Sequence, residues 1–330
     1  MPHKHIKRAS GKSGIGSVPK SVPGPKSVPE PMAGRRPGGT VTEEGGSGKP
    51  RRAPGDDAVP GLVTVAPDRA RDGRAFDLSA VDANADGGLD KAAARQALAV
   101  ERARIAALQE RLYAEHARSL LVVFQAIDTG GKDGTIRAVF EGVNPQGCRV
   151  WPFKVPSAEE AAHDFLWRYH AKTPGRGMIG VFNRSHYEDV LVVRVKGLVP
   201  EPVWRARYGQ INDFEAMLAA EGTTILKFFL HISKDEQKER LEARIATPEK
   251  HWKFDAADLV ERRSWDAYQA AFADALTRCS TPHAPWHVVP ANRKWFRNLL
   301  VARTIADTLE AMDPRFPEAQ PGVAGMTVPD

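Results

Sequence analysis

The chain has 330 residues, 42% of them hydrophobic and 27% charged, with 47 Lys and Arg against 41 Asp and Glu. That balance belongs to an ordinary soluble globular protein of one large or two small domains. The net charge of +6 sits in residues 1–60, which hold 11 Lys and Arg against 5 Asp and Glu, so the basic pI near 9.3 is no argument for a specific nucleic-acid partner of the remainder.

Two cysteines, Cys148 and Cys279, lie far apart, which argues against a zinc site or a disulfide framework. No run reaches the roughly eighteen apolar residues of a membrane span. The basic N-terminus has no apolar segment behind it of the kind a secretory signal carries. The expectation is a cytoplasmic enzyme with no membrane partner.

Residues 1–60 contain 10 Pro and 11 Gly, with "SVP" recurring at Ser17, Ser21 and Ser27. Pro lacks the N–H a ladder needs and Gly resists ordering, so a disordered basic tail is expected over residues 1–70. The "GKSG" at 11–14 follows no strand and is set aside as a phosphate loop. Next, "DANADGGLD" (82–90) imitates a calcium loop through Asp82, Asn84, Asp86 and Gly87, but Ala93 stands where the bidentate Glu belongs. A turn followed by a helix start is the better reading. From 91 to 116, Leu98, Ile105, Leu108 and Leu112 recur at helical intervals, giving a helical extension over 71–118.

The run "LLVVFQ" (120–125) has the continuous apolar character of a strand buried on both faces. Further strands are expected at 149–153, 178–182, 224–232 and 286–290, and helices near 133–143, 158–170, 208–221, 234–246, 256–276 and 293–312. This alternation implies one α/β domain with a parallel sheet covered on both faces.

Three stretches carry chemistry. After the first core strand comes "QAIDTGGKDGTI" (125–136), close to the phosphate-binding pattern G-x-x-x-x-G-K-[ST] but with Ala126 at its start and Asp133 at its end. A strand-to-helix loop aims backbone N–H groups and the positive helix end at one spot. Gly130, Gly131 and Gly134 allow an anion close to the backbone, and Lys132 adds a point charge. Asp128 would repel phosphates alone, whereas with Mg²⁺, which favours one or two carboxylates plus phosphate oxygens, it becomes a tether. The blander reading makes Asp128 a cap, and Asp133 is read simply as an acid in the first helical turn.

The second stretch, "MIGVFNRSHYEDVL" (178–191), places Arg184, Glu188 and Asp189 after an apolar strand, near where nucleotide kinases keep another metal-holding acid. "SHYE" also fits a capping box, which assigns Ser185 and Glu188 to a helix start and leaves Arg184 and Asp189 for chemistry. In the third, "ISKDEQKERLEARIATPEKHWKF" (232–254), Ser233 and Glu236 form another capping box. Lys238, Arg240, Arg244, Lys250 and Lys253 crowd the helix and the loop behind it. They read equally as a solvated face and as a basic lid over phosphates.

With these blocks in order, joined by "GVNPQG", "HDFLWR", "HWKF" and "HAPWHVVPANRKWFRN", the chain is similar to the second family of polyphosphate kinases, the polyphosphate:nucleotide phosphotransferases, over about residues 76–315. The wording is most like the class III branch, which phosphorylates both nucleoside mono- and diphosphates. The resemblance implies a P-loop kinase-like three-layer sandwich over 119–315, with a helical lid at about 234–256 and a C-terminal tail from 316 to 330. It implies Mg²⁺, with Mn²⁺ as an alternative ion, held by Asp128 and Asp189. Lys132 would clamp a phosphate and Arg184 would steady the group in transit. Gly130, Gly131, Gly134, Thr135, Arg240 and Arg244 would bind phosphates. The partners implied are inorganic polyphosphate, nucleoside mono- and diphosphates, and further copies of the chain in a dimer or tetramer. Ala126 departs from the Gly usual there and should perturb the start of the loop slightly. Two other readings stand beside this one: an ATP-dependent small-molecule kinase of the same fold, and a polyanion-binding module with a relict loop.

Overall fold

The computed structural model describes residues 60–67 and 73–329. In chain order the elements are β1 (Val63–Thr64), α1 (Lys91–Glu115), β2 (Ser119–Gln125), α2 (Lys132–Val139), β3 (Cys148–Pro152), α3 (Ala158–Ala162), α4 (Trp167–His170), β4 (Ile179–Asn183), α5 (Val192–Val195), α6 (Glu201–Ala220), β5 (Thr223–His231), α7 (Lys234–Ile245), α8 (Ala256–Arg263), α9 (Trp265–Arg278), β6 (Trp286–Pro290) and α10 (Lys294–Met312). A four-residue 3₁₀ turn, His186–Asp189, follows β4.

The strands form one sheet in the order β1-β6-β5-β2-β4-β3, parallel throughout except for β1 against β6. Every residue of β2 and of β6 is buried. Both faces there are therefore covered, which is why these strands read as unbroken apolar runs rather than as alternating ones. The chain moves from β2 out to β3, returns through β4, and then crosses to β5 on the far side of β2. In such a sheet the crevice lies over the carboxyl ends of the strands where the order reverses, and here that places it over Gln125.

α1 lies along α10, and Asp90 starts α1 by accepting from the N–H groups of Ala92 and Ala93. The stretch that imitates a calcium loop is a series of side-chain-capped turns: Asp82 accepts from the Asn84 N–H and Asp86 from the Gly88 N–H. Among the described residues no helix is long and apolar enough to cross a membrane.

Three expectations need correction. The disordered tail was set at 1–70, yet Val63 and Thr64 pair with Val288 and His287, and Val65 is fully buried. The exposed edge of β6 supplies unpaired backbone groups that a two-residue strand can satisfy, and two residues are too few to show a periodicity. Residues 1–59 and 68–70 of that tail lie outside the described residues. The helix expected over 158–170 is broken at His163, which is extended, and Asp164 restarts the chain by capping the Leu166 and Trp167 N–H groups. The helix expected over 256–276 is likewise two, α8 and α9, meeting at Ser264.

Candidate functional site

The loop between β2 and α2 is held in a conformation that few sequences tolerate. Thr129 has φ 62° and Gly131 φ 97°; the first is uncommon for a side chain branched at Cβ and marks stored strain. A Cβ on Gly130 would sit 2.4 Å from the Ala126 methyl and 2.8 Å from the Ile127 carbonyl oxygen. The methyl at 126 thus makes glycine at 130 obligatory. On Gly131 a Cβ would lie 2.0 Å from Arg297 Nη1, so this glycine is needed twice, for its φ and for the arginine above it.

Arg297 lies in the block "HAPWHVVPANRKWFRN", to which the sequence reading assigns no site role. It lies on α10, is 2% exposed, and its Nε and Nη2 both donate to Asn298 Oδ1. Nη1 is buried without a hydrogen-bond partner. Burial, and then the neighbouring Arg240, lower its pKa to about 9. A buried cation with an orphaned donor beside a glycine-rich loop has the chemistry to pair with an anion. The signal available was a charge inside the apolar stripe of α10, between Phe296 and Leu300.

Lys132 opens α2, and its Nζ donates to the Ala126 carbonyl at 3.0 Å, closing the loop on itself. Burial depresses its pKa, and the nearby Arg184 depresses it further. Thr135 is buried and spends its hydroxyl on the Gly131 carbonyl, 3.0 Å away, inside its own helix. Asp133 accepts from Asn183 Nδ2 at 2.6 Å, joining the first turn of α2 to the tip of β4.

Arg184 follows β4 directly, also at positive φ (64°), with its N–H bonded to the Phe124 carbonyl of β2. Its Nη2 meets Asp128 Oδ1 at 3.0 Å, and its Nη1 lies 3.9 Å from Glu188 Oε2. Arg184, Asp128 and Lys132 are therefore brought together, and Glu188 joins them. Ser185 does cap the following turn, through the Tyr187 N–H. Glu188, assigned to the same cap, turns instead towards Arg184, because the turn is 3₁₀ and ends after four residues. Burial raises the Glu188 pKa against the pull of Arg184 and Lys132. Asp189 lines the same cavity but is engaged elsewhere, by Arg207 Nη1 at 3.0 Å and the Tyr169 hydroxyl at 3.2 Å. Burial lifts it to about 6, with Arg207 opposing.

The bases of helix α7 divide between a solvated face and inward ties. Arg240 Nη1 donates to the Thr129 carbonyl, Nη2 to the carbonyls of Ala291 and Asn292, and Nε to Glu236. It ties the phosphate loop to the β6–α10 connection. One turn earlier, Gln237 donates to the Asp128 carbonyl at 3.1 Å. Arg244 faces Asp258 at 3.4 Å, while Lys238 is an exposed partner of Glu242.

Two cavities adjoin this arrangement. One of about 260 Å³ is bounded by Asp128, Arg184, Glu188 and Asp189 and by apolar walls that include Phe153, Tyr169, Leu198, Tyr268 and Phe272. The other, about 700 Å³, lies between α1 and the start of α10 and is lined by Lys91, Arg95, Arg102, Arg293 and Lys294, with Glu236 as its single acid. Lys294 has its pKa lowered by burial first and then by the nearby Arg240, with Arg297 adding to it.

The family model described as polyphosphate kinase 2 matches residues 88–317. An AMP/ADP-polyphosphate phosphotransferase of Meiothermus ruber is 55% identical over 251 residues, which cover 76% of this chain and 94% of that protein. An ADP-polyphosphate phosphotransferase of Rhodopseudomonas palustris is 49% identical over 66% of this chain and 80% of its own length. The crystal structure of a polyphosphate kinase 2 from Arthrobacter aurescens superposes with a TM-score of 0.74 at 46% identity, covering 76% of this chain and 90% of that one.

Proposed function

This chain belongs to the polyphosphate kinase 2 family, and from that premise we propose that it transfers phosphoryl groups reversibly between inorganic polyphosphate and nucleotides, with AMP and ADP as acceptors. The observation that carries this reading is the orphaned Arg297 donor beside Gly131, on the helix whose first residue, Lys294, lines the cation-rich cavity. A donor made only of phosphates offers no base or ribose to recognise, so charges and backbone N–H groups suffice to hold it. The smaller cavity, with apolar walls and a carboxylate end, suits an acceptor that carries a base. A cytoplasmic setting and assembly into dimers or tetramers belong to the same reading.

In this reaction the protein does little covalent work; it aligns donor and acceptor in line and meets the charge that spreads over the transferred group. Lys132 and Arg184 would stabilise the group in transit. Arg297 and the loop N–H groups would grip the remaining donor chain, and the start of α2 adds its positive end. Thr135 is assigned to the helix rather than to phosphate, and Arg240 to the loop's frame.

The acids present fit a divalent ion. Asp128 and Glu188 flank Arg184 in one cavity, with Asp189 beside them. Among the described residues no group of three or more His, Cys, Asp or Glu side chains is placed to hold a metal unaided. That accords with Mg²⁺, which is commonly bound by one or two carboxylates plus substrate phosphates. Asp128 and one carboxylate of the turn that carries Glu188 and Asp189 would hold Mg²⁺, or Mn²⁺ in its place, and the ion would neutralise phosphate charge.

The deciding assay offers AMP with either pure polyphosphate or ATP as donor. Turnover with polyphosphate at least as fast as with ATP is expected; turnover with ATP alone would favour the small-molecule kinase, and none with either the polyanion-binding module.

A further inference from the structure

The turn that presents Glu188 and Asp189 to the acceptor cavity sends its first two residues the other way. His186 and Tyr187 are fully buried, and there they meet an ion pair without any solvent exposure, Lys227 of β5 and Glu215 of α6, 2.6 Å apart. Lys227 Nζ donates to Glu215 Oε2, to the Tyr187 hydroxyl at 2.8 Å and to the Cys279 carbonyl at 2.6 Å. An ammonium has three donors, so each is used. Glu215 Oε1 accepts from the Tyr187 hydroxyl at 2.9 Å and from His186 Nε2 at 3.1 Å.

The cluster reaches the acceptor cavity by two routes. One is covalent, since Tyr187 and Glu188 are consecutive. The other passes from the His186 ring to the Tyr169 ring, 5.8 Å between centroids, and Tyr169 donates to Asp189. Stability alone explains the cluster poorly, because an apolar pair of the same volume usually does as well or better once desolvation is counted. Apart from His186 Nδ1, which is buried without a partner, the atoms of the cluster are paired, and paired polar groups in a core fix orientation in a way apolar contacts do not. A four-residue 3₁₀ turn has few hydrogen bonds of its own to hold a direction.

We propose that Glu215, Lys227 and the Tyr187 hydroxyl are positioning residues for phosphoryl transfer, holding the 186–189 turn so that Glu188 and Asp189 face the acceptor and its metal. This rests on the metal-holding role proposed above for those carboxylates. The cluster acts as the outer shell of the site although it touches neither substrate nor loop.

The experiment compares wild type with Tyr187→Phe, which keeps the ring and its edge contact with Trp286 and deletes only the bridging oxygen. Glu215→Gln is the second network variant, and Val301→Ala on α10 is a control for loss of stability alone. Mn²⁺ uptake in the presence of ADP is followed by electron paramagnetic resonance, beside kcat and the KM for polyphosphate. Both network variants should bind Mn²⁺ about tenfold more weakly and lose about tenfold in kcat, the range typical of outer-shell partners. Their KM for polyphosphate should stay within about twofold of wild type, since uniform binding is untouched. The control should lower the melting temperature and move neither kcat nor Mn²⁺ binding. Wild-type kcat and Mn²⁺ affinity in a folded Tyr187→Phe protein would overturn the proposal. If wild type itself takes up no Mn²⁺, the metal reading falls separately, and kcat against KM still decides the role of the cluster. Should Glu215→Gln fail to fold, Tyr187→Phe alone gives the answer.

Discussion

The cavity between α1 and the start of α10 and the cavity between β4 and α9 differ in kind. The first has five cations and one acid around about 700 Å³. The second has about 260 Å³, apolar and aromatic walls, and a mixed charge, with Asp128, Glu188, Asp189 and Glu261 beside Lys154, Arg184 and Lys196 in its lining. The larger one has little to offer a base and much to offer a chain of anions. In the smaller one an apolar surface can take a base while carboxylates stand at the reacting end. On the proposed reading the larger cavity takes the donor by its charge and the smaller one takes the acceptor by its shape.

The largest effect expected is at the shared boundary. Asp128→Asn should lower kcat about a hundredfold or more, roughly 3 kcal/mol of barrier, with either nucleotide acceptor and without loss of melting temperature. Near-normal turnover at saturating Mg²⁺ would remove the carboxylate from the mechanism.

Acidity should act on the acceptor side and on the sheet edge in opposite directions. Asp189 is raised by burial from 3.8 to about 6, so the folded protein binds its proton more tightly than the unfolded chain. Stability from this group therefore falls as pH rises from about 4 to 6. His287, beside Thr64 of β1, is lowered by burial from 6.5 to about 4. Its contribution is present above pH 6.5 and is lost as pH falls towards 4. By the usual conversion each amounts to about 3 kcal/mol, and the two oppose one another. Melting temperature against pH should therefore drop more steeply on acidification in Asp189→Asn than in wild type. An unchanged slope would show that Asp189 is not held above its usual range.

On the donor side, Arg297→Met should raise the KM for polyphosphate about tenfold while leaving that for AMP alone, the loss of one charge-assisted contact. The same change should raise the melting temperature, because it removes a buried charge with an orphaned donor. Unchanged KM for both substrates would return Arg297 to a purely structural role. The smallest effect is expected at the rim of that cavity. Lys91→Glu with Arg95→Glu should raise the KM for polyphosphate about threefold at low salt and less at high salt, since exposed charges are screened. An equal rise for AMP would erase the distinction between the two cavities.

Much of this was legible in the chain itself. Parallel strands covered on both faces are largely apolar, so β2 and β4 announce themselves as runs, and β3, β5 and β6 are found too although each carries a polar residue, Arg149, Lys227 and His287. The phosphate loop is legible because glycines and a lysine at the join of strand and helix have few other uses. What could not be read are features in which identical letters serve two physical ends. "SHYE" spells a capping box, yet only the length of the turn decides that Ser185 caps while Glu188 faces Arg184. Arg240 looks like one of several surface bases, and only packing shows its guanidinium bonded to three backbone carbonyls. Lys227 was visible as a charge in the middle of "TILKFFLHI", but its partner Glu215 lies on another element with no local pattern to mark it.

The sequence by itself determined the sheet, the position of the loop and the residue types available for phosphate and metal, because burial and backbone geometry act through near neighbours. Tertiary structure alone decided which cation is orphaned, which carboxylate faces the loop and which short segment closes the edge of β6. Those outcomes depend on contacts between residues far apart in the chain, where desolvation and the count of available donors, rather than any local preference, set what each side chain does.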